Sequence, residues 1–243
     1  MLKKAVCWWA LKKYDLQTVY LRCMMNKNAK AVFLMNDQWK GKKWYCYGTS
    51  LTDSSGAGKF SRFLAEYAGL EEHNFGKGGS GIVPAEHDRE DNVKTRIMRL
   101  DDGKAEADLI TVELIPNDVT KATLGEVTDL SDDTFCGNLH QVLEYLQVNT
   151  SAVIVVLIAS RAIYSVPTGD YGMKRLQWES AVETVCNMHG IPCWNAAKEG
   201  NMGYYRMQSR SDYLVDTIHH AEKGGEILAK YYWGKLQQIY PND

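Results

Sequence analysis

The apolar positions of the chain fall into two recurring patterns. Short continuous runs, KWYCYG (43–48), ADLITVELI (107–115), SAVIVVLIAS (151–160) and IPCWNA (191–196), have the length and β-branched content of strands. Between them lie longer segments whose apolar residues recur three and four apart, the spacing of one helix face. GKFSRFLAEYAGL sets Phe60, Phe63, Leu64, Tyr67 and Ala68 on such a face and carries Gly69 near its end. EHDREDNVKTRIMRL is charged but keeps Val93, Ile97, Met98 and Leu100 in helical period. SDDTFCGNLHQVLEYLQ opens on a Ser/Asp cap, MKRLQWESAVETVCNMHG ends at Gly190, and AEKGGEILAKYYWGKLQQI is a terminal helix that tolerates Gly224 and Gly225 near its start. HNFGKGGSGIV reads as a strand end with a glycine-rich loop. Strand and helix alternate about five times, which predicts a parallel sheet with helices on both faces. SAVIVVLIAS, apolar throughout, is the expected central strand.

Residues 1–43 have a different texture. AVCWWAL, QTVYLRCMM and KAVFLM are lysine-flanked, aromatic and β-branched, with NKNAK between the last two, so two or three strands and a hairpin at Asn26 to Lys30 are expected. The predicted organisation is a β-rich extension over 1–43, as a small appended element or an oligomer contact, ahead of an α/β domain over 44–243. The run Ala5 to Leu11 follows two lysines like a signal peptide. It is only seven residues long, Lys12 and Lys13 end it, and no small-residue cleavage site follows. It is read as structure, and the compartment stays open. No stretch approaches the roughly 18 apolar residues of a membrane span.

Composition changes this picture little. With 243 residues, 45% apolar and 24% charged, the chain can build one sizeable core. A net charge of −2 gives no global field to recruit nucleic acid or an anionic membrane. The six cysteines contain no CxxC pair and sit mostly in apolar runs, so they read as buried free thiols rather than as a zinc site or disulfide framework.

The residues able to do chemistry lie where a parallel sheet gathers them, beyond the carboxyl ends of strands. KWYCYG runs into Gly48-Thr49-Ser50-Leu51-Thr52, which exposes a serine at a strand-to-helix turn. In the loop Asn74 to Gly81, glycines let backbone N–H groups turn toward developing negative charge. The run DLITVELI ends in Pro116-Asn117-Asp118, where an asparagine can donate to an oxyanion. Near the C-terminus, Asp216 precedes His219 by three residues, a spacing that lets a carboxylate orient an imidazole base. Taken singly, each has a plain structural reading: a loop serine, a turn asparagine, a helix-capping aspartate.

In order along the chain, GTSLT, NFGKGGSG, ELIPND and DTIHHAEKGGEILA resemble the four blocks of the SGNH/GDSL hydrolase superfamily, over roughly residues 44 to 238. The last block is the most specific, with Asp216, His219, Gly224 and Ile227-Leu228-Ala229 matching its pattern. The resemblance implies a flavodoxin-like three-layer α/β/α fold around a mostly parallel five-stranded sheet. It implies Ser50 as nucleophile, His219 as general base and Asp216 as its orienting acid. Oxyanion donors would be the N–H of Ser50, the N–H of Gly79 and the side-chain amide of Asn117. It implies no cofactor and no metal. Two positions depart from the family: Thr49 stands in place of the signature Asp, and Ile115-Pro116 replaces the usual glycine of the third block. His220, beside His219, is read as a bystander because the Asp-to-His spacing selects His219.

Two other patterns fall short. Gly76 to Gly81 fits GxGxxG, but Pro84 soon follows and the strand before it is very short. SSGAGK shares letters with a phosphate loop, yet Asp53 stands where its first glycine belongs and Phe60 where Ser or Thr should follow the lysine. Family members cleave carboxylic esters, so a small-molecule or glycan ester is the expected partner. Aromatic and Arg residues in two late loops, Arg161, Tyr164, Tyr171, Tyr204 and Tyr205, are expected to rim the site and favour a carbohydrate O-acetylesterase. The alternatives are a general short-chain esterase, a lysophospholipase or thioesterase of the same fold, and a non-catalytic carbohydrate-binding or structural module.

Overall fold

The computed structural model describes residues 37–53, 58–84, 90–99, 103–161, 166 and 168–241. The hairpin expected at Asn26 to Lys30, and Cys7 and Cys23, lie outside the described residues. Five strands form the sheet: β1 (Lys43–Gly48), β2 (Glu71–Gly76), β3 (Leu109–Leu114), β4 (Val153–Ile158) and β5 (Cys193–Asn195). Their order is β2-β1-β3-β4-β5, and all four pairings are parallel. The carboxyl ends therefore share one edge, with Gly48 opposite Gly76, Leu114 opposite Ile158, and Ile158 opposite Asn195. The chain leaves β1 for β2 on one side and then crosses to β3 on the other. The crevice between the ends of β1 and β3 is thus the topological switch point, where open α/β sheets bind ligands.

Strand alternation divides the core in two. Tyr45, Tyr47, Ile110, Val112, Ile154 and Val156 face one side. There they pack with α2 (Val93–Met98), α4 (Phe135–Asn149) and α5 (Asp170–His189). Trp44, Cys46, Leu109, Val155 and Leu157 face the other, against α1 (Phe60–Ala68) and α7 (Glu222–Leu236). Two short helices lie in loops that sequence periodicity did not mark: α3 (Asp118–Lys121) after β3 and α6 (Tyr204–Gln208) after β5. β4 is buried at all but its first residue, as expected of a central strand. β2 begins earlier than the sequence pattern implied. Its first residues, Glu71, Glu72, His73 and Asn74, are polar because it is an edge strand with half-exposed side chains.

Helix starts also differ in detail. The long helix α4 is capped by Thr134, whose hydroxyl accepts from Gly137 N at 3.2 Å, rather than by the Ser/Asp cluster upstream. The charged helix is short because Asn92 caps it, accepting from Thr95 N at 2.9 Å. Trp39, which the sequence pattern left in the extension, is fully buried in the α1/α7 core and donates to the Leu236 carbonyl at 3.0 Å. Cys46, Cys136 and Cys186 are buried free thiols, and Cys193 is half-buried. Among the described residues no helix is long and apolar enough to cross a membrane.

Candidate active site

Ser50 lies in a tight turn immediately beyond β1. Thr52 N and Asp53 N both donate to the Thr49 carbonyl, at 3.1 and 3.0 Å, which curls the chain around Ser50. Thr49 occupies the place of the signature Asp and is fully buried. Its N–H and hydroxyl both donate to Glu113 Oε2, at 2.9 and 2.7 Å, and Thr52 Oγ1 adds a third contact at 3.4 Å. A carboxylate thus stands beside the turn after all, supplied by the neighbouring strand β3. Burial pushes the Glu113 carboxyl up, against the opposing pull of the Thr49 bonds and the Arg175 charge.

The glycine-rich loop is tied to this turn from several sides. Asn74 Nδ2 donates to the Thr52 carbonyl at 2.8 Å while its Oδ1 accepts from Gly76 N at 2.9 Å. Buried Arg96 bridges the two loops, with Nη2 donating to Gly48 O at 2.8 Å and to Ser80 Oγ at 3.0 Å. Gly79 has φ +76°, a left-handed conformation that a side chain disfavours, and it borders the cavity in front of Ser50. Asn117 borders the same cavity. Its Nδ2 donates to the Ser80 carbonyl at 2.8 Å, which fixes the amide plane and leaves the second hydrogen for a ligand. The residue that replaces the third-block glycine, Ile115, keeps a glycine-like backbone with φ 101° and is fully buried. A β-branched residue there stores about 1–3 kcal/mol of strain, held by its packing beside the site.

The loop before α7 brings an imidazole to Ser50. His219 Nε2 lies 3.0 Å from Ser50 Oγ, and His219 Nδ1 lies 2.7 Å from Asp216 Oδ2. Asp216 Oδ1 accepts from the N–H groups of Ile218 and His219, both at 2.7 Å. Burial alone would raise the Asp216 carboxyl, but the His219 ring and these two N–H groups outweigh it and hold it at about 2. Gly224, in the same block, lets α7 approach this loop, since a Cβ there would stand 2.1 Å from the Tyr213 carbonyl. The arrangement orders carboxylate, imidazole and hydroxyl so that the imidazole can take the Oγ proton.

His220 is more than a bystander. It is buried, and its Nε2 lies 2.6 Å from Ser160 Oγ at the end of β4. This contact pins the His219 loop to the sheet. Burial, then the charges of Lys59 and His219, push its pKa down to about 4. A folded value below the unfolded one near 6.5 means that the unfolded chain binds the extra proton between those pH values. Stability is therefore full above about pH 6.5 and falls as pH drops toward 4, by roughly 3 kcal/mol from this group. Urea unfolding of wild type and His220→Gln at pH 7 and pH 4.5 checks this, the substituted protein losing less stability between the two.

The cavity in front of Ser50 measures about 510 Å³. Besides Ser50, Gly79, Asn117 and His219 it is bordered by Leu51, Pro116, Thr120, Tyr171, Arg175 and Ile218. Of the residues expected to rim the site, Tyr171 does so, with its hydroxyl donating to the Pro116 carbonyl at 3.2 Å. Arg161 does not line the cavity. Its Nε and Nη2 are bound to Glu179 at 3.0 and 2.5 Å. Tyr204 and Tyr205 sit on α6, packed edge-to-face on each other and away from the cavity. Tyr164 lies outside the described residues. Sequence reasoning missed Glu113, Ser160 and Arg175, because buried polar residues in apolar strands or on a helix carry no local signal of their surroundings.

No protein-family model matches the chain, and no curated protein matches its sequence. Solved structures do match. A protein from Lactobacillus plantarum is 23% identical, covers 83% of this chain and 99% of its own, and superposes with a TM-score of 0.71. A lipolytic protein of the G-D-S-L family from Veillonella parvula is 11% identical over 81% of this chain and 99% of its own, with a TM-score of 0.59. The acetyl xylan esterase AlAXEase is 18% identical over 80% and 99%, with a TM-score of 0.58. The parallel five-stranded sheet, its helical layers and these likenesses together give the chain the fold of the SGNH/GDSL hydrolases.

Proposed function

We propose that the protein is a serine esterase that hydrolyses carboxylic esters through an acyl-enzyme on Ser50. The observation that carries this reading is the continuous relay from Asp216 through His219 to Ser50 Oγ, at 2.7 and 3.0 Å, beside an open cavity. Ser50 Oγ attacks the ester carbonyl carbon as His219 Nε2 takes its proton. The carbonyl oxygen becomes an oxyanion stabilised by the N–H groups of Ser50 and Gly79 and by the Asn117 amide, each donor contributing on the order of 3 kcal/mol. His219 returns the proton to the departing alkoxide as the ester C–O bond breaks. Water, activated by the same imidazole, then releases the acid and restores Ser50. Asp216, ionised down to about pH 2, keeps the imidazole in the tautomer with its lone pair toward Ser50 throughout.

The finer reading is a carbohydrate O-acetylesterase. Its support is the fold shared with a protein named as an acetyl xylan esterase, together with Asn117, Thr120 and Tyr171 on an otherwise mainly apolar cavity wall. The test compares 4-nitrophenyl acetate, 4-nitrophenyl decanoate and an acetylated xylo-oligosaccharide. The acetyl esters are expected to exceed the decanoate by about 10-fold or more in kcat/KM, with free acetate released from the oligosaccharide. The reverse order overturns the carbohydrate reading and favours a lysophospholipase or thioesterase.

A further inference from the structure

Arg175 is an unusual residue to find at the cavity wall. It stands in the second turn of α5 with its side chain only 2% exposed, yet it borders the space in front of Ser50. Its Nε donates to Glu179 Oε1 at 3.0 Å, and its Nη2 donates to the carbonyls of Ala159 and Ser160 at 3.3 and 3.1 Å. Among the described residues Glu179 is its only ion-pair partner, and that carboxylate is already shared. Arg161 binds both of its oxygens, and Asn195 Nδ2 adds a contact to Oε2 at 3.2 Å. Two guanidinium groups thus share the Glu179 carboxylate.

Among the described residues, no Asp or Glu lines the cavity opposite Arg175. Glu113, the other buried carboxylate whose field reaches Arg175, spends its hydrogen bonds on Thr49 and Thr52 rather than on the guanidinium. Asp216 stands behind His219 rather than in the cavity. Two further cations back the loops around Ser50, with Lys59 donating to the Ser50 carbonyl at 2.6 Å and Lys121 to the Gly79 carbonyl at 2.9 Å. A buried guanidinium without full compensation is costly unless something anionic meets it. Its remaining side faces the Tyr171 hydroxyl, which shares a hydrogen bond with it, and the cavity.

We propose that the cavity takes esters carrying an oxyanion group remote from the scissile carbonyl, a carboxylate in the first instance, and that Arg175 is the residue that selects it. This rests on the esterase reading above and narrows its substrate class. The guanidinium reads the charged group while Ser50, Gly79 and Asn117 read the ester, so the two recognition events sit at separate walls of one cavity. A neutral ester of the same shape fills the space but brings no charge to the guanidinium, and discrimination against it follows.

The experiment measures kcat/KM for matched pairs that differ in charge. On the acyl side the pair is mono-4-nitrophenyl glutarate against its neutral methyl ester. On the alcohol side it is O-acetylated glucuronic acid against O-acetylated glucose. The anionic member of at least one pair is expected to be favoured by about 10- to 100-fold, and the pair that shows it tells which side of the ester carries the charge. Arg175→Gln should bring that ratio close to one, and Arg175→Lys should keep part of it. The ratio is taken within one preparation, so it does not depend on the fraction folded. Neutral members turned over as well as or better than anionic ones by wild type would overturn the proposal, whatever the variants do. Turnover of no ester at all would instead overturn the esterase reading on which it stands.

Discussion

Replacing His219 by Ala is expected to lower kcat for acetyl-ester hydrolysis by about 10⁵-fold, with little change in KM. Among the described residues the His219 imidazole is the only base in contact with Ser50 Oγ, at 3.0 Å. Without it the hydroxyl must lose its proton to water, and the departing alkoxide has no acid. Ser50→Ala should cost about as much, and the double variant little more than either single one, because the two groups act as a unit. The neighbouring imidazole cannot substitute. His220 is buried against Ser160 and belongs to the scaffold of the loop. Steady-state rates on 4-nitrophenyl acetate check these expectations, with the unfolding midpoint measured in parallel to separate chemistry from stability.

Asp216→Asn is the second large effect, on the order of 10³-fold in kcat. The shape of the residue is kept, so the cause must be the proton it holds in place. Asp216 Oδ1 accepts two backbone N–H groups and Oδ2 accepts the His219 Nδ1 proton. An asparagine at this position keeps its oxygen on the backbone donors and turns its NH₂ toward Nδ1. The ring must then accept there and carry its proton on Nε2, which removes the lone pair that Ser50 needs. Asp216 is half exposed, so water can partly restore the right tautomer, and the loss is expected to be smaller than for His219→Ala. Asp216→Ala should be milder than Asp216→Asn. It leaves Nδ1 open to water instead of enforcing the wrong tautomer. That ordering of the two variants is something a merely structural role for Asp216 would not give.

Much of this architecture is legible in the amino-acid sequence, for physical reasons that can be named. A central parallel strand is buried on both faces, so β4 reads as VIVVLI with no polar interruption. Edge strands are half wetted, and β2 therefore hides behind Glu71, Glu72 and His73. Ser50, Gly79, Asn117, Asp216 and His219 stand out because each follows a strand or precedes a helix in a stretch rich in turn residues. Ordered along the chain, they resemble a known set of blocks. What stays hidden depends on contacts between residues far apart in sequence. Glu113 lies within an apolar strand, and only the fold brings its carboxylate to Thr49. Arg175 reads as an ordinary helix residue paired four positions on with Glu179, because sequence does not tell which face of α5 meets the cavity. The positive φ of Ile115 shows that a glycine-like turn survives the replacement of its glycine. His220 differs from His219 by one position, yet that step turns its ring from the cavity into the core.

The loops around Ser50 also explain why the site has a definite geometry in free protein. Arg96, Asn74 and Glu113 tie the turn after β1 to the loop after β2 and to β3, and Ser160 ties the His219 loop to β4. Three strand ends are thereby linked to one another and the fourth to the His219 loop, and such preorganisation is what lets fixed donors act on a developing charge.

Covalent trapping tests most directly whether Ser50 is the nucleophile. Wild type treated with a fluorophosphonate is predicted to gain a single phosphonyl group, seen by intact mass and located by peptide mapping on Ser50. Ser50→Ala should gain none, even though Ser160 keeps its contact with His220. Wild type that stays unlabelled, or a Ser50→Ala protein labelled as fast as wild type, would contradict the account.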